Sequence, residues 1–483
     1  MSLTVTSAEY RVVEPEMRMP FHFGNVAMTE CPHVLLRLTV EFEDGTEQGT
    51  SMGGLLPMWF YKDPEMALTE GFADMAEVFL TAGAFAEAID PAPTAFAFWT
   101  ELWARQKRWA SETDYPPLLW GYGVSMVEQA LIDAVCRYEG TTVGEAVREN
   151  RFGIDLGSIY DELAGAEPGE FLPDEPNRAV AIRHTVGQSD PLTDDDIASA
   201  DRLEDGLPES LSAYVREDGL TRFKIKLCAD VETDADRLAS IGELLESQDV
   251  DEYAFTVDAN EGYESAAAFK RQWTTLSDDP DCRSFLENLL YVEQPLARDD
   301  AFTDETRAVF GDWEEKPPII IDESDGLLDS AGTALEYGYD GTSHKNCKGV
   351  FKGIANACLI EHRNRTEPDE TYVLSAEDLT TIGPIELLQD LAVVATIGAD
   401  HVERNGHHYF RGLSEFPAEI QETVLDDHGD LYRRHPDGFA TLAVEDGRID
   451  VGSVVDAPFG VVPEFGTDRF RPLTDWVDDL EAR

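Results

Sequence analysis

Hydrophobic and polar positions follow two different periods along the first third of the chain. Residues 2–13 and 33–42 alternate apolar and polar side chains, and the turn sequence Glu43-Asp44-Gly45 leads into a further short strand at 46–50. From residue 64 to residue 138 the apolar side chains recur every three or four positions, which is the period of an amphipathic helix. The pattern predicts an α+β domain over residues 1–165.

The pattern changes again after an acidic, Pro- and Gly-containing segment at 166–176, which is expected to be a linker. From there short apolar strands alternate with helical segments, which implies parallel strands joined by crossover helices. Eight such units match a (β/α)8 barrel of ~250 residues. An open doubly wound sheet is the alternative, although no G-x-G-x-x-G or P-loop motif supports it. The eight predicted strands lie at 179–183, 222–227, 253–257, 289–292, 318–321, 340–344, 372–375 and 400–403.

The predicted fold is therefore α/β: a (β/α)8 (TIM-like) barrel at 177–438 with an α+β N-terminal capping domain. The tail, 439–483, contains two more alternating segments, at 441–444 and 449–451. We expect this tail to pack back on the cap and complete it.

Three successive barrel strands are predicted to end on a carboxylate. The apolar segments before residues 258, 293 and 322 lead directly into Asp258, Glu293 and Asp322. In a parallel barrel these strand ends meet at one mouth. Three neighbouring carboxylates repel one another unless a cation is bound, and oxygen ligands suit Mg2+. A single acid after a strand is commonly a helix cap, so the metal site is predicted from the repetition.

The net charge of the chain excludes some classes of binding partner. The 483 residues include 37 Lys plus Arg and 97 Asp plus Glu, which gives a net charge of −60. This sign excludes binding to nucleic acid by phosphate neutralisation and argues against docking on anionic membranes. Hydrophobic residues still make up 42% of the chain, so a folded protein with a strongly acidic surface is expected, as in a halophilic archaeon with a salt-rich cytoplasm.

Other global features agree with a cytoplasmic location. No segment has the length of apolar sequence that a membrane span needs, and nothing at the N-terminus marks export. The six cysteines include no C-x-x-C pair and are expected to be reduced and mostly buried.

Lysine is rare, and five of the nine lysines fall in two short segments, Lys224-Ile225-Lys226 and 345–352. On a strand, Lys224 and Lys226 share one face while apolar residues occupy the other face. Because the apolar face packs against the outer helices, both ammonium groups are predicted to point into the barrel. Lys345 follows Asp322 and is expected on the other side of the mouth. A chance surface patch is the alternative interpretation of these clusters.

The predicted carboxylates and lysines together indicate a type of reaction. A lysine near a bound cation and a second ammonium group has a lowered pKa and suits the role of general base. A proton next to a carboxylate is weakly acidic, and its removal requires stabilisation of an enediolate, which a divalent cation supplies. The sequence therefore predicts Mg2+-dependent proton abstraction α to a carboxylate.

The ordered motifs resemble those of the enolase superfamily, in its mandelate racemase and muconate lactonizing branch, whose members use Lys or His bases with Mg2+. The resemblance implies that Asp258, Glu293 and Asp322 bind Mg2+, that Lys226 and Lys345 are opposed acid/base residues, and that Lys224 holds the substrate carboxylate or the enolate. The matching segments are Lys224-Ile225-Lys226, Val257-Asp258-Ala259-Asn260, Val292-Glu293-Gln294-Pro295, Ile321-Asp322-Glu323-Ser324, Lys345-x-x-Lys348-Gly349 and the helix Met126–Ala134.

The chain also departs from that pattern. The seventh strand ends Ser375-Ala376-Glu377-Asp378, without the His of the mandelate racemase type, which favours the two-lysine muconate lactonizing type. The paired glycines usual after the second lysine are absent, so Lys348 is an alternative to Lys345. Glu323 is likewise an alternative to Asp322.

The expected outcome is racemisation, epimerisation or cycloisomerisation of a small carboxylate by a homo-oligomer. The alternatives are an acid-sugar dehydratase, with His344, Glu377 or Glu403 as the acid, and a non-catalytic binding protein that keeps the fold. Asn260, Lys348, Glu377 and Glu403 are expected to contact the substrate.

Two loops of the cap, 21–25 and 51–60, are expected to close the mouth. Phe23 and Trp59 would line an apolar substrate, and the Gly53-Gly54 pair would give mobility. Ordinary packing between domains is the alternative for Trp59. His407 and His408 are expected in a solvated turn.

Overall fold

The computed structural model describes residues 2–23, 26–63, 65–462 and 465–481. None of the helices in these ranges is long and apolar enough to cross a membrane. The strands are β1 (Leu3–Val13), β2 (Glu16–Phe23), β3 (Val26–Glu30), β4 (His33–Phe42), β5 (Gly45–Gly54), β6 (Ala179–Val186), β7 (Arg222–Lys226), β8 (Ala254–Asp258), β9 (Leu289–Glu293), β10 (Ile319–Ile321), β11 (Gly341–His344), β12 (Val373–Ala376), β13 (His401–Arg404), β14 (Tyr432–Arg434), β15 (Ala440–Leu442), β16 (Arg448–Asp450) and β17 (Arg471–Pro472).

The α-helices surround the two main sheets. They are α1 (Pro57–Tyr61), α2 (Leu68–Glu87), α3 (Ala95–Ala110), α4 (Pro117–Glu139), α5 (Val143–Arg148), α6 (Leu211–Asp218), α7 (Val231–Ser247), α8 (Ala266–Asp278), α9 (Pro280–Leu286), α10 (Asp304–Gly311), α11 (Ser330–Glu336), α12 (Val350–Thr366), α13 (Glu386–Thr396), α14 (Gly406–Tyr409), α15 (Ala418–Asp427), α16 (Gly452–Val455) and α17 (Leu473–Glu481).

Eight parallel strands form one curled sheet in the order β12-β11-β10-β9-β8-β7-β6-β13. All eight lie within two or three residues of the predicted positions at both ends. The outward faces of the strands carry the apolar side chains, such as Phe223 and Ile225 of β7, which are fully buried. The predicted parallel, alternating α/β architecture is therefore present.

The sheet differs from a fully hydrogen-bonded barrel at one seam. No backbone pairing joins β12 to β13 among the described residues, although the two strands lie side by side. A buried arginine side chain occupies this seam. Arg183 of β6 donates to Ser375 Oγ and to the Ala376 carbonyl oxygen of β12, both at 3.0 Å, and contacts His401 of β13. A guanidinium thus uses a carbonyl group that strand pairing would otherwise use.

The cap contains an antiparallel sheet in the order β17-β1-β4-β5 and a separate hairpin, β2–β3. Helix α4 lies between this sheet and the parallel sheet, and it is buried over most of its length. It approaches β5 closely because β5 contains glycine where the helix passes. A Cβ atom at Gly49 would lie 1.9 Å from the Ala130 carbonyl oxygen, and one at Gly53 would lie 2.1 Å from Tyr122 Oη.

The expected mobility of Gly53-Gly54 was therefore wrong. Both residues belong to the buried strand β5, paired with His33 and Val34 of β4. The reason for glycine at position 53 is the absence of space for a side chain beneath α4.

The C-terminal tail is divided between the two sheets. Strand β15 pairs with β14, and β16 pairs with the N-terminal half of barrel strand β6. The later part of the tail contacts the cap: Arg137 of α4 donates to the Val461 carbonyl oxygen at 2.8 Å, β17 pairs with β1, and α17 packs on β1 and α2. The two tail strands that alternation predicted thus lie on the barrel side, because their partners are supplied by β14 and β6.

Candidate active site

The three predicted carboxylates lie at adjacent strand ends. Asp258 is the last residue of β8, Glu293 is the last residue of β9, and Asp322 follows β10 directly. Asp258 and Glu293 are opposite each other in the parallel register. Their side chains are almost completely buried. Parallel pairing of equivalent strand ends thus brings the three acids together.

Lys224 is the counter-ion at the centre of this group. Its Nζ lies 2.8 Å from Glu293 Oε2, 2.7 Å from Glu377 Oε2, 3.0 Å from Glu403 Oε2 and 3.1 Å from Asp258 Oδ2. The side chain is about 1% exposed. The inward direction that strand alternation predicted for Lys224 is observed, and its ammonium group lies among four carboxylates.

The two lysines expected to act as bases each contact a different carboxylate. Lys226 Nζ lies 2.6 Å from Asp258 Oδ2, and Lys345 Nζ lies 2.6 Å from Asp322 Oδ2. Lys226 is on β7 and Lys345 follows β11, so the two lysines flank the three strands that carry the acids. The indole ring of Trp59 covers Lys345, with Nζ 4.9 Å from the ring centroid.

Lys348 lies behind Asp322. Its Nζ is 2.8 Å from Asp322 Oδ1 and donates to the Ser343 carbonyl and hydroxyl oxygens, both at 2.8 Å. Unlike Lys345, it does not line the cavity that opens above the three carboxylates. A further buried pair, Lys352 and Asp325, lies next to it at 2.8 Å.

Burial and neighbouring charges shift the pKa values of the buried acids in different directions. Burial disfavours the charged form of Asp322, but Lys345 and Lys348 outweigh this and hold its pKa well below the usual range. For Glu293 the balance is reversed, because burial and the neighbouring Asp258 and Glu377 raise its pKa well above the usual range. Burial also raises the pKa of Glu403 to about 7.

These residues fit a divalent cation. Among the described residues no group of three His, Cys, Asp or Glu side chains is arranged as a ready metal site. In this arrangement Lys224, Lys226 and Lys345 each contact an oxygen of these carboxylates. The donor set, three carboxylates at adjacent strand ends, is what Mg2+ prefers. A bound cation would offset the burial and the neighbouring carboxylates that raise the pKa of Glu293.

The alternative ligand Glu323 is also buried, but its surroundings differ from those of Asp322. Its Oε1 accepts a hydrogen bond from Asn260 Nδ2 at 3.1 Å and lies 3.4 Å from Lys62 Nζ. Asp322 lines the main cavity, and Glu323 does not.

A cavity of about 580 Å3 opens above the carboxylates. Of the residues expected to contact a substrate, Trp59, Asn260 and Glu403 line it, together with Lys224, Lys226 and Lys345. Glu377 lies below its floor, bound to Arg183 and Lys224. The side chain of Phe23, and residues 24 and 25 of the same predicted loop, lie outside the described residues.

Helix α1, which carries Trp59, is fixed to the barrel by one arginine. Arg298 forms a two-point ion pair with Glu261, with distances of 2.9 and 3.0 Å. Its remaining N–H groups donate to the carbonyl oxygens of Phe60 at 2.8 Å and Trp59 at 3.3 Å. The arginine therefore satisfies carbonyl groups at the end of a helix that has no basic residue there. Sequence reasoning missed Arg298, because it lies in a loop.

The expectation of a solvated turn at His407 and His408 was wrong. His408 is buried and its Nδ1 lies 2.7 Å from Tyr214 Oη, while His407 Nε2 lies 3.2 Å from His184 Nδ1. Burial lowers the pKa of all three histidines, so they are neutral. They join β6, α6 and α14 beside the cavity.

Arg183 was also missed, although a signal was present. It is the single Arg or Lys of strand β6 and is fully buried. The argument that turned Lys224 inward applies to it equally.

No protein-family model matches the chain, and no curated protein matches it. Solved structures do match. A Bradyrhizobium enolase complexed with magnesium and mandelic acid has a TM-score of 0.55 and 16% identity, covering 93% of this chain and 94% of that one. A dipeptide epimerase from Enterococcus faecalis complexed with Mg and L-Leu-L-Tyr has a TM-score of 0.57 and 13% identity, with coverages of 95% and 99%.

A muconate lactonizing enzyme from Pseudomonas fluorescens complexed with muconolactone has a TM-score of 0.55 and 17% identity, covering 93% of this chain and 94% of that one. Identities this low establish the fold alone. The chain has the fold of these proteins along nearly its whole length, a TIM-like barrel with an N-terminal cap, as the sequence motifs predicted.

Proposed function

We propose that the protein is an enzyme that removes a proton α to a carboxylate, with Mg2+ as its cofactor, and that it works as a racemase, epimerase or cycloisomerase. One observation carries the proposal. Lys226 and Lys345 contact Asp258 and Asp322 from the two sides of a single cavity, across the strand ends that also carry Glu293.

Asp258, Glu293 and Asp322 would hold the cation. When bound, it supplies positive charge to the substrate carboxylate and so stabilises the enediolate. Lys226 and Lys345 both line the cavity, where one lysine, as the neutral amine, would accept the α-proton and the other, as the ammonium, would return a proton to the opposite face. Lys224 remains beneath the site as the counter-ion of Glu377 and Glu403.

Trp59 and the protein around it keep the reaction away from water. The ring lies over Lys345 and is only 6% exposed. Exclusion of water strengthens the electrostatic interactions on which the enediolate depends.

The test is exchange of α-hydrogen for deuterium in D2O with Mg2+ and a panel of carboxylic acids, followed by NMR. Wild type should exchange both enantiomers of a substrate. Lys226→Ala and Lys345→Ala should each lose exchange of one enantiomer, and Lys107→Ala, on the exposed surface of α3, should keep both. Full activity in both active-site variants would refute the assignment of bases. Absence of exchange, together with no Mg2+ binding in calorimetry, would favour a non-catalytic binding protein.

A dehydratase is the second candidate, and one observation favours it. Glu403 lines the cavity and has a pKa of about 7, so it is protonated often enough at neutral pH to donate to a leaving hydroxyl group. His344 and Glu377, the other acids considered, do not line the cavity. Formation of a 2-keto acid from an acid sugar, lost in Glu403→Gln, would support this outcome.

A further inference from the structure

We infer that this site takes a monocarboxylate whose remaining part is mainly apolar, an inference that rests on the proposed function. The cavity has two unlike ends. Lys226, Lys345 and the metal-binding carboxylates form one end, which suits the reacting carboxylate. The opposite walls come from the cap and from the loops after β12 and β13, and they decide what the rest of the substrate can be.

Those walls are formed mainly by apolar side chains. The β2–β3 hairpin contributes Phe21 and Met28, the segment around α1 contributes Leu56 and Met58, and the barrel contributes Leu379 and Tyr409. Phe21 and Tyr409 pack edge to face with centroids 4.8 Å apart, so the hairpin and α14 form one continuous surface. An apolar substituent placed here leaves water and contacts side chains on several sides.

The charged groups outside the reacting end are already used by the protein. Lys62 Nζ lies 3.5 Å from Glu261 and 3.4 Å from Glu323, so this part of the cavity has no net positive charge. Asp190 accepts a hydrogen bond from the Gly187 N–H at 2.6 Å. A second carboxylate on the substrate would therefore meet paired charges and lose its hydration without compensation.

Two of the neutral polar side chains in the lining are already hydrogen-bonded within the protein. Thr185 Oγ1 donates to Glu403 at 2.6 Å, and Gln188 Nε2 donates to the Leu227 carbonyl oxygen at 2.6 Å. The hydroxyl groups of an acid sugar would find few partners on these walls. Ser189, Thr380 and Asn405 are further neutral polar side chains of the lining, so the cavity can recognise a small number of polar groups on the substrate.

The volume of the cavity agrees with a large substituent on the substrate. About 580 Å3 is within the range of pockets that bind drug-sized molecules, and a substrate as small as lactate would leave most of the apolar surface wet. Specificity is thus expected to come from the size and apolarity of the side chain and not from a second charge.

Calorimetry with four 2-hydroxycarboxylates tests this on the Mg2+-loaded protein, because lactate, phenyllactate, gluconate and malate differ only in the group beyond the α-carbon. Phenyllactate is expected to bind at least about ten-fold more tightly than lactate, since even one methylene in an apolar pocket is worth about ten-fold. Gluconate and malate should bind no more tightly than lactate. Tightest binding of gluconate or malate, equal binding of all four acids, or no binding would overturn the inference.

A near-isosteric variant tests whether the apolar wall causes the preference for phenyllactate. Met28→Gln should remove most of the preference for phenyllactate over lactate while leaving lactate affinity unchanged, and Met66→Gln, outside the cavity, should keep the preference. Met58→Gln serves if Met28→Gln does not fold. Retention of the full preference in a folded cavity variant would refute the assignment of the apolar wall.

The inference about the substrate and the proposed function can fail independently. If deuterium enters gluconate and not phenyllactate, this inference fails and the proposed function stands. If phenyllactate binds with the expected preference and no acid exchanges its α-hydrogen, the proposed function fails and the account of the cavity stands.

Discussion

Glu128 provides a test of how the cap is joined to the barrel. This residue of α4 is 1% exposed, and its Oε1 accepts a hydrogen bond from the Phe351 N–H, in the first turn of α12, at 2.6 Å. The segment before α12 contains Lys345 and Lys348. Burial raises the pKa of Glu128 to about 8 from an ordinary value of 4.5, although the backbone N–H groups and Lys352 oppose the rise. Glu128→Gln keeps the acceptor and removes the titration.

The direction of the pH dependence follows from the number of protons bound in the folded and unfolded states. Between pH 4.5 and 8 the unfolded chain releases the proton of Glu128 and the folded protein retains it. The free energy of unfolding therefore falls as pH rises through this window, by at most about 1.4 kcal/mol per pH unit. The full window of 3.5 units corresponds to roughly 5 kcal/mol. Between pH 6 and pH 8 the loss is about 2 kcal/mol, since the slope flattens near the folded pKa.

The assay is denaturant unfolding of wild type and Glu128→Gln at pH 6, 7 and 8 in one high-salt buffer. Subtraction cancels the other titrating groups, so the variant should gain about 2 kcal/mol relative to wild type from pH 6 to pH 8. Glu112→Gln, at an exposed position, should show no such trend. A difference between Glu128→Gln and wild type that stays constant within 0.5 kcal/mol would refute the reasoning.

Three further predictions concern the site and its surroundings. Lys224→Met should lower the free energy of unfolding by roughly 3–5 kcal/mol in urea titrations at pH 7, because four buried carboxylates lose their counter-ion; a loss below 1 kcal/mol would contradict this. Cys228 should react with a thiol reagent before the other five cysteines in the folded protein, since it is exposed at the cavity and they are buried; an unchanged labelling rate in Cys228→Ser would show otherwise. Arg18→Ala should speed amide hydrogen exchange in the β2–β3 hairpin, because Arg18 joins it to Asp205 at 2.7 Å and to the His408 carbonyl oxygen at 3.0 Å; unchanged exchange at 16–30 by mass spectrometry would count against this contact.

Local pattern was sufficient for the strands and for the acids at their ends. The positions of β6 to β13 follow from short apolar segments at regular spacing, and the order of parallel strands follows from crossover connections. Asp258, Glu293 and Asp322 meet for the same reason, since equivalent ends of adjacent parallel strands lie together. Alternation on β7 predicted that Lys224 and Lys226 face inward, and both do.

Some features could have been predicted from the sequence but were missed. Arg183 is the single Arg or Lys of β6, and the reasoning used for Lys224 would have placed it inside the sheet. The histidines at 407 and 408 were misassigned because polar residues after a strand resemble a turn, whereas α6 covers them.

Other features depend on contacts between residues far apart in the chain. The sequence by itself determined the strands, their direction and the residues that carry chemistry, because these depend on side-chain period and on spacing within one β/α unit. Only the tertiary structure decided that Lys224 binds four carboxylates, that Lys345 lies under Trp59, and that the far wall of the cavity is apolar. The Lys224 contacts result from the meeting of strand ends that lie far apart in the chain. The other two results come from the packing of the cap against the barrel, which depends on the fit of surfaces that no local pattern encodes.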